Sequence, residues 1–102
     1  MSLFEDANAE EPADPGKVIR AYLSLAIQIG APSYNYGDQR GCYEVYACTA
    51  RMLLKAVKGA EAEKKVLRRA LERCATQNDP DDQAWTMRHA FDELLGSPTE
   101  NN

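Results

Sequence analysis

The chain lacks most of the residues and runs that usually announce a function. It has a single histidine, His89, so no HExxH can be written from it, and its cysteines and histidine show none of the spacing of a metal site. Its three cysteines, Cys42, Cys48 and Cys74, are an odd number without a CxxC pair. Cys42 and Cys48 fall six residues apart on one expected helix, a rise of about 9 Å on differing faces, which is beyond disulfide reach. A disulfide scaffold is therefore not expected, and free, sheltered thiols fit a reducing compartment. No apolar run approaches the length of a membrane span, and no signal peptide is visible, so a cytoplasmic location is the expectation. Positive charge is also in deficit. Twelve Lys and Arg face sixteen Asp and Glu for a net charge of -4. That balance supplies no field for phosphate backbones or anionic lipid. The one basic cluster, Lys64 to Arg69, alternates with Glu61, Glu63 and Glu72. Its spacing predicts a solvated helix face with weak Glu61–Lys65 and Arg68–Glu72 pairs rather than a nucleic-acid patch.

Period-two alternation is missing as well, which removes strands from consideration. The pattern that remains is helical. Asp14 and Pro15 form a start signal, and Gly30 reads as the stop of a first helix. Asp38 caps a second helix from about Gln39 to Lys58, stopped by Gly59. A third runs from about Ala60 to Thr76. "NDPDD" opens a fourth, with Asp79 as cap, Pro80 in the first turn, Asp81 and Asp82 at the positive end of the dipole, and Gly96 closing it. The expected fold is all-α, an antiparallel four-helix bundle or two stacked helical hairpins, over residues 15–96. An acidic tail (1–14), with five acids and one proline, and a closing tail (97–102) are expected to be disordered.

Two features exceed what a plain bundle requires. The first helix is apolar nearly all round: Val18, Tyr22, Leu25 and Ile29 make one stripe, and Ile19, Leu23 and Ile27 another. One stripe fills the core, and the other is left for a more central place in the bundle, a twin subunit or a neighbouring domain. The expected homodimer contact is assigned to Ile19, Leu23 and Ile27. The second feature is "GAPSYNYGDQRGC", residues 30–42, read as a long connection. Pro32 is expected to block the helix and hold Ala31 extended, Gly37 to permit the reversal, and Tyr34 and Tyr36 to cover the end of the bundle, with Asn35 bonded to loop backbone. The density of phenol, amide, carboxylate and guanidinium there also suits a ligand or partner site formed by Tyr34, Asn35, Asp38, Arg40 and Tyr46.

Part of this pattern resembles the tetratricopeptide repeat. Gly37-Asp38, followed by Cys42 at a small position, Tyr46 at an aromatic one and Thr49 at the next small one, is similar to the second helix of that hairpin. "DPDDQAW" (Asp79 to Trp85) is similar to the joint into a further repeat. Pro32 departs from the pattern, and a repeat array needs three or more units where this chain has at most two. The stretch GAP-x-YN-x-GD, with Cys42 and Tyr46 following, also resembles an uncharacterised bacterial helical module found within larger proteins. That resemblance implies a bundle and a recurring loop, and no activity.

Chemistry is otherwise sparse. Asp79, Asp81 and Asp82 lack the glycine and closing glutamate of a calcium loop. Gly37 and Gly41 bracket Asp38 without the lysine of a phosphate loop. Cys42 sits in the first turn of helix two, where the dipole favours a thiolate, but it occupies an apolar stripe beside Asp38, which favours a buried thiol. No catalytic residue, metal or cofactor is expected. The reading is a non-catalytic helical interaction or regulatory module that self-associates. Its alternative is a small-molecule-binding or enzymatic domain with a pocket beside residues 30–42.

Overall fold

The computed structural model describes residues 14–96. Both proposed tails lie outside these residues, except for Asp14, which belongs to the first helix as its cap. Asp14 turns its carboxylate back to accept from the Gly16 amide at 2.9 Å, and Pro15 occupies the first turn, where a missing N–H costs nothing. Helix α1 then spans Pro15–Asn35, α2 Gln39–Ala56, α3 Glu61–Cys74 and α4 Pro80–Leu95. Among the described residues there is no strand. The described residues form a four-helix bundle. Helix α1 packs chiefly along α2, α3 along α4, and the two hairpins join through α2 and α4.

The caps follow the local sequence. Asp38 accepts from the Gly41 amide at 2.9 Å, and Asp79 accepts from the Asp81 amide at 3.0 Å. Gly96 closes α4 in the left-handed region at φ 75°, where a side chain would be strained. Helix α3 begins one residue later than expected. Ala60 is left-handed at φ 53°, outside the helix, and no side chain caps there. Glu61 pairs with Lys64 at 3.9 Å and Arg68 at 3.7 Å rather than with Lys65, and Arg68 reaches Glu61 rather than Glu72.

The largest departure from expectation is at the end of α1. Gly30 is not a stop, and the helix passes through Pro32 to Asn35, with Ala31 helical. The connection to α2 is only Tyr36, Gly37 and Asp38. Gly30 is buried on the α2 side, where a Cβ atom would come within 2.6 Å of Tyr46 Cε1. Its missing side chain is what lets α1 lie on the Tyr46 ring. Pro32 is exposed, and the carbonyl it leaves without an N–H partner belongs to Gln28, which is also exposed, so water can satisfy it.

Packing also reverses the two stripes of α1. Ile19 and Leu23 are fully buried in the intramolecular core with Leu53, Leu67, Met87 and Phe91, and Ile27 is half-buried against it. Ile19 and Leu23 are therefore not available to a second chain. The outward stripe is the other one, with Tyr22 45 %, Leu25 48 % and Ile29 53 % exposed. The core is otherwise closed by small residues of α2, Ala47 and Ala50, and by the tilted pair of Tyr46 and Phe91, whose ring centroids are 5.2 Å apart.

These contacts predict the sign of one substitution. In an isolated helix, Gly30→Ala would gain about 1 kcal/mol. Here the methyl meets the Tyr46 ring, and forced overpacking costs about 1–3 kcal/mol. Urea denaturation should show a lowered midpoint for Gly30→Ala. A raised midpoint would show that α1 does not rest on Tyr46.

Candidate functional site

Because α1 continues past Pro32, its last turn reaches α4. The Tyr34 hydroxyl donates to the Asp81 carboxylate and accepts from Trp85 Nε1 at 2.9 Å, and the two rings meet edge-on with centroids 5.7 Å apart. Trp85 in turn lies 5.6 Å from the His89 ring. Asp81 is thus more than a helix-start residue, since it anchors α1.

Inside this latch lies a cleft of about 110 Å³ between α1, α2 and α4. Ala31, Tyr34 and Asn35 enter from α1, Cys42 and Tyr46 from α2, and Ala84, Trp85 and Arg88 from α4. Three of the five residues expected to form a site, Tyr34, Asn35 and Tyr46, are therefore brought together. Asp38 is spent on capping α2, and Arg40 is exposed outside the cleft. Tyr36 is 91 % exposed and covers nothing.

Trp85 and Arg88 were not expected in the site, since they come from the far end of the chain. One signal was visible for Arg88, a charge on the apolar stripe of α4 with Asp92 four residues later. The Arg88 Nε donates to Asp92 Oδ1 at 3.2 Å, and Asp92 is buried. Burial is the largest influence on Arg88 and works against its charge, but Asp92 and Tyr46 together outweigh it and raise the guanidinium above its ordinary value.

The neighbouring groups are held in their protonated forms. Burial pushes the Tyr46 phenol well up, and hydrogen bonding to Cys42 adds to this while Arg88 offsets part of it. Burial also raises the Cys42 thiol, against lowering by Tyr46 and Arg88. A raised thiol is a poor nucleophile at neutral pH, whatever the helix dipole offers. Cys74 is buried with its pKa raised, whereas Cys48 is exposed, so only two of the three free thiols are sheltered. A second groove of about 380 Å³, wider and more open, runs between α3 and α4 past Arg69, Arg73 and His89, all exposed. Among the described residues, no group of three or more His, Cys, Asp or Glu is placed to hold a metal ion. No described helix is long and apolar enough to cross a membrane.

No protein-family model, curated protein or solved structure matches this chain.

The titrations share one direction. Cys42 and Cys74 are raised from 9.0, and Tyr34 and Tyr46 from 10.0, the shift at Tyr34 coming first from its bond to Asp81. Each group binds its proton more tightly folded than unfolded, so the stabilisation is complete below the unfolded value and declines as pH rises beyond it. The melting midpoint should fall above pH 9 as the unfolded thiols ionise, and more steeply above pH 10 as the phenols follow. Tyr46→Phe should flatten the second phase. A wild-type midpoint that holds steady across this range would contradict the assigned environments.

Proposed function

We propose that this chain is a small non-catalytic interaction module that pairs with a second copy of itself through the outward face of α1. The observation that carries the reading is the character of that face. From Ala21 to Tyr36 no residue is charged, in a sequence that is 27 % charged overall. Exposed along it are Tyr22, Leu25, Ile29 and Tyr36. Together with Val18, the first three follow a four-three-four spacing, the seam that two packed helices share.

Depletion of charge with retention of aromatic and aliphatic groups is the compositional mark of an interface centre. A two-fold contact places the same patch on both chains, and an uncharged patch meets its own copy without repulsion. The helix has 21 residues, about 32 Å of length at 1.5 Å per residue. One helix pair of that length gives an interface at the small end of the standard class, so association in roughly the micromolar range is expected. Neither nucleic acid nor metal enters this reading: the net charge is -4 and the only imidazole is exposed. A cytoplasmic location belongs to the same proposal and is supported by buried, unpaired thiols.

Light scattering at tens of micromolar tests it. The wild type should show about twice the 11.3 kDa chain mass. Leu25→Glu combined with Ile29→Glu should give a monomer of unchanged helicity, since both side chains are half exposed already. Leu23→Glu, in contrast, should unfold the chain, since Leu23 is in the core. A strictly monomeric wild type would overturn self-association and leave docking against a neighbouring domain as the use of this face.

A further inference from the structure

The cleft between α1, α2 and α4 is a separate feature of the molecule. Successive residues of α1 turn by about 100°. Ala31 and Asn35 therefore lie across the helix from Tyr22 and Ile29. Most of the cleft wall is apolar, made by Ala31, Ala84 and the rings of Tyr34 and Trp85. Polar side chains also line it: Arg88, Tyr46 and Asn35. A mainly apolar concavity with a few converging polar groups is the general form of a small-molecule site.

The arrangement of charge selects the ligand. Arg88 is the only charged residue on the wall. The nearby carboxylates are each bonded within the fold, Asp92 to Arg88 Nε, Asp81 to the Tyr34 hydroxyl and Asp38 to the Gly41 amide. Anchoring at Nε fixes the plane of the guanidinium, and of its five N–H donors those not taken by Asp92 or the Tyr46 hydroxyl can meet a carboxylate. With Asp92 already balancing part of the charge, the site favours a monoanion over a phosphate dianion. A volume of about 110 Å³ admits only a few non-hydrogen atoms. We infer that this cleft binds a short-chain organic carboxylate, its carboxylate on Arg88 and Asn35 and its alkyl end between the Tyr34 and Trp85 rings and the two alanines.

Trp85 is the only tryptophan in the chain, so its fluorescence reports on the cleft directly. The full chain should be titrated with sodium propionate at constant ionic strength, with propionamide as the neutral control. A saturable change in emission is expected from propionate, with a dissociation constant on the order of 1 mM for so small a ligand, and none from propionamide. Arg88→Lys, which keeps a charge opposite Asp92 but has no planar fork, should weaken binding roughly tenfold. Ala31→Leu should fill the cleft and abolish the response, with circular dichroism confirming that both variants fold. The Leu25→Glu/Ile29→Glu chain should bind like the wild type, which separates this result from self-association. Absence of saturation up to about 100 mM propionate, an equal response to propionamide, or unchanged binding in Ala31→Leu would each overturn the inference.

Discussion

The contact between Gly30 and the ring of Tyr46 is the constraint on which the rest of this structure depends. With no side chain at position 30, α1 can press onto an aromatic ring that would otherwise hold it away. Tyr46 then packs on Phe91 of α4 while its hydroxyl faces Cys42 and Arg88. One ring therefore sets the spacing of three helices and the floor of the cleft. A tyrosine is suited to this role because it combines a large apolar body with a polar tip that can be satisfied beneath a buried surface.

Continuation of α1 through Pro32 is the second requirement. Proline in a helix removes a hydrogen bond and crowds the preceding turn. The loss falls at the exposed residues Pro32 and Gln28, while the same turn gains the Tyr34 bonds to Asp81 and Trp85. Tertiary contacts of this kind override local preference, and here they also position the site. If α1 stopped at Gly30, Ala31, Tyr34 and Asn35 would not line a wall.

Much of the fold was legible because its punctuation is local. Asp38 and Asp79 cap as their neighbours imply, Pro80 opens a helix, and Gly96 closes one in the conformation glycine favours. Gly30 misled because glycine serves equally as a helix stop and as a seat for a neighbouring ring, and the choice depends on Tyr46, sixteen positions away. The two stripes of α1 misled for a related reason. Both are apolar, and only the placement of α2 and α4 decides that Ile19 and Leu23 face inward while Tyr22, Leu25 and Ile29 face out. Within the cleft, Tyr34, Asn35 and Tyr46 stood out by their density in sequence. Trp85 and Arg88 reach it through the tertiary fold, which spacing along the chain does not record.

Nuclear magnetic resonance tests this account most directly, by Cα chemical shifts from Gln28 to Tyr36 together with nuclear Overhauser contacts at Gly30. Helical shifts should persist through Pro32 to Asn35, with cross-peaks from the Gly30 α-protons to the Tyr46 ring and from the Tyr34 ring to the Trp85 indole. Shifts that turn non-helical at Ala31, without a Gly30–Tyr46 contact, would contradict it.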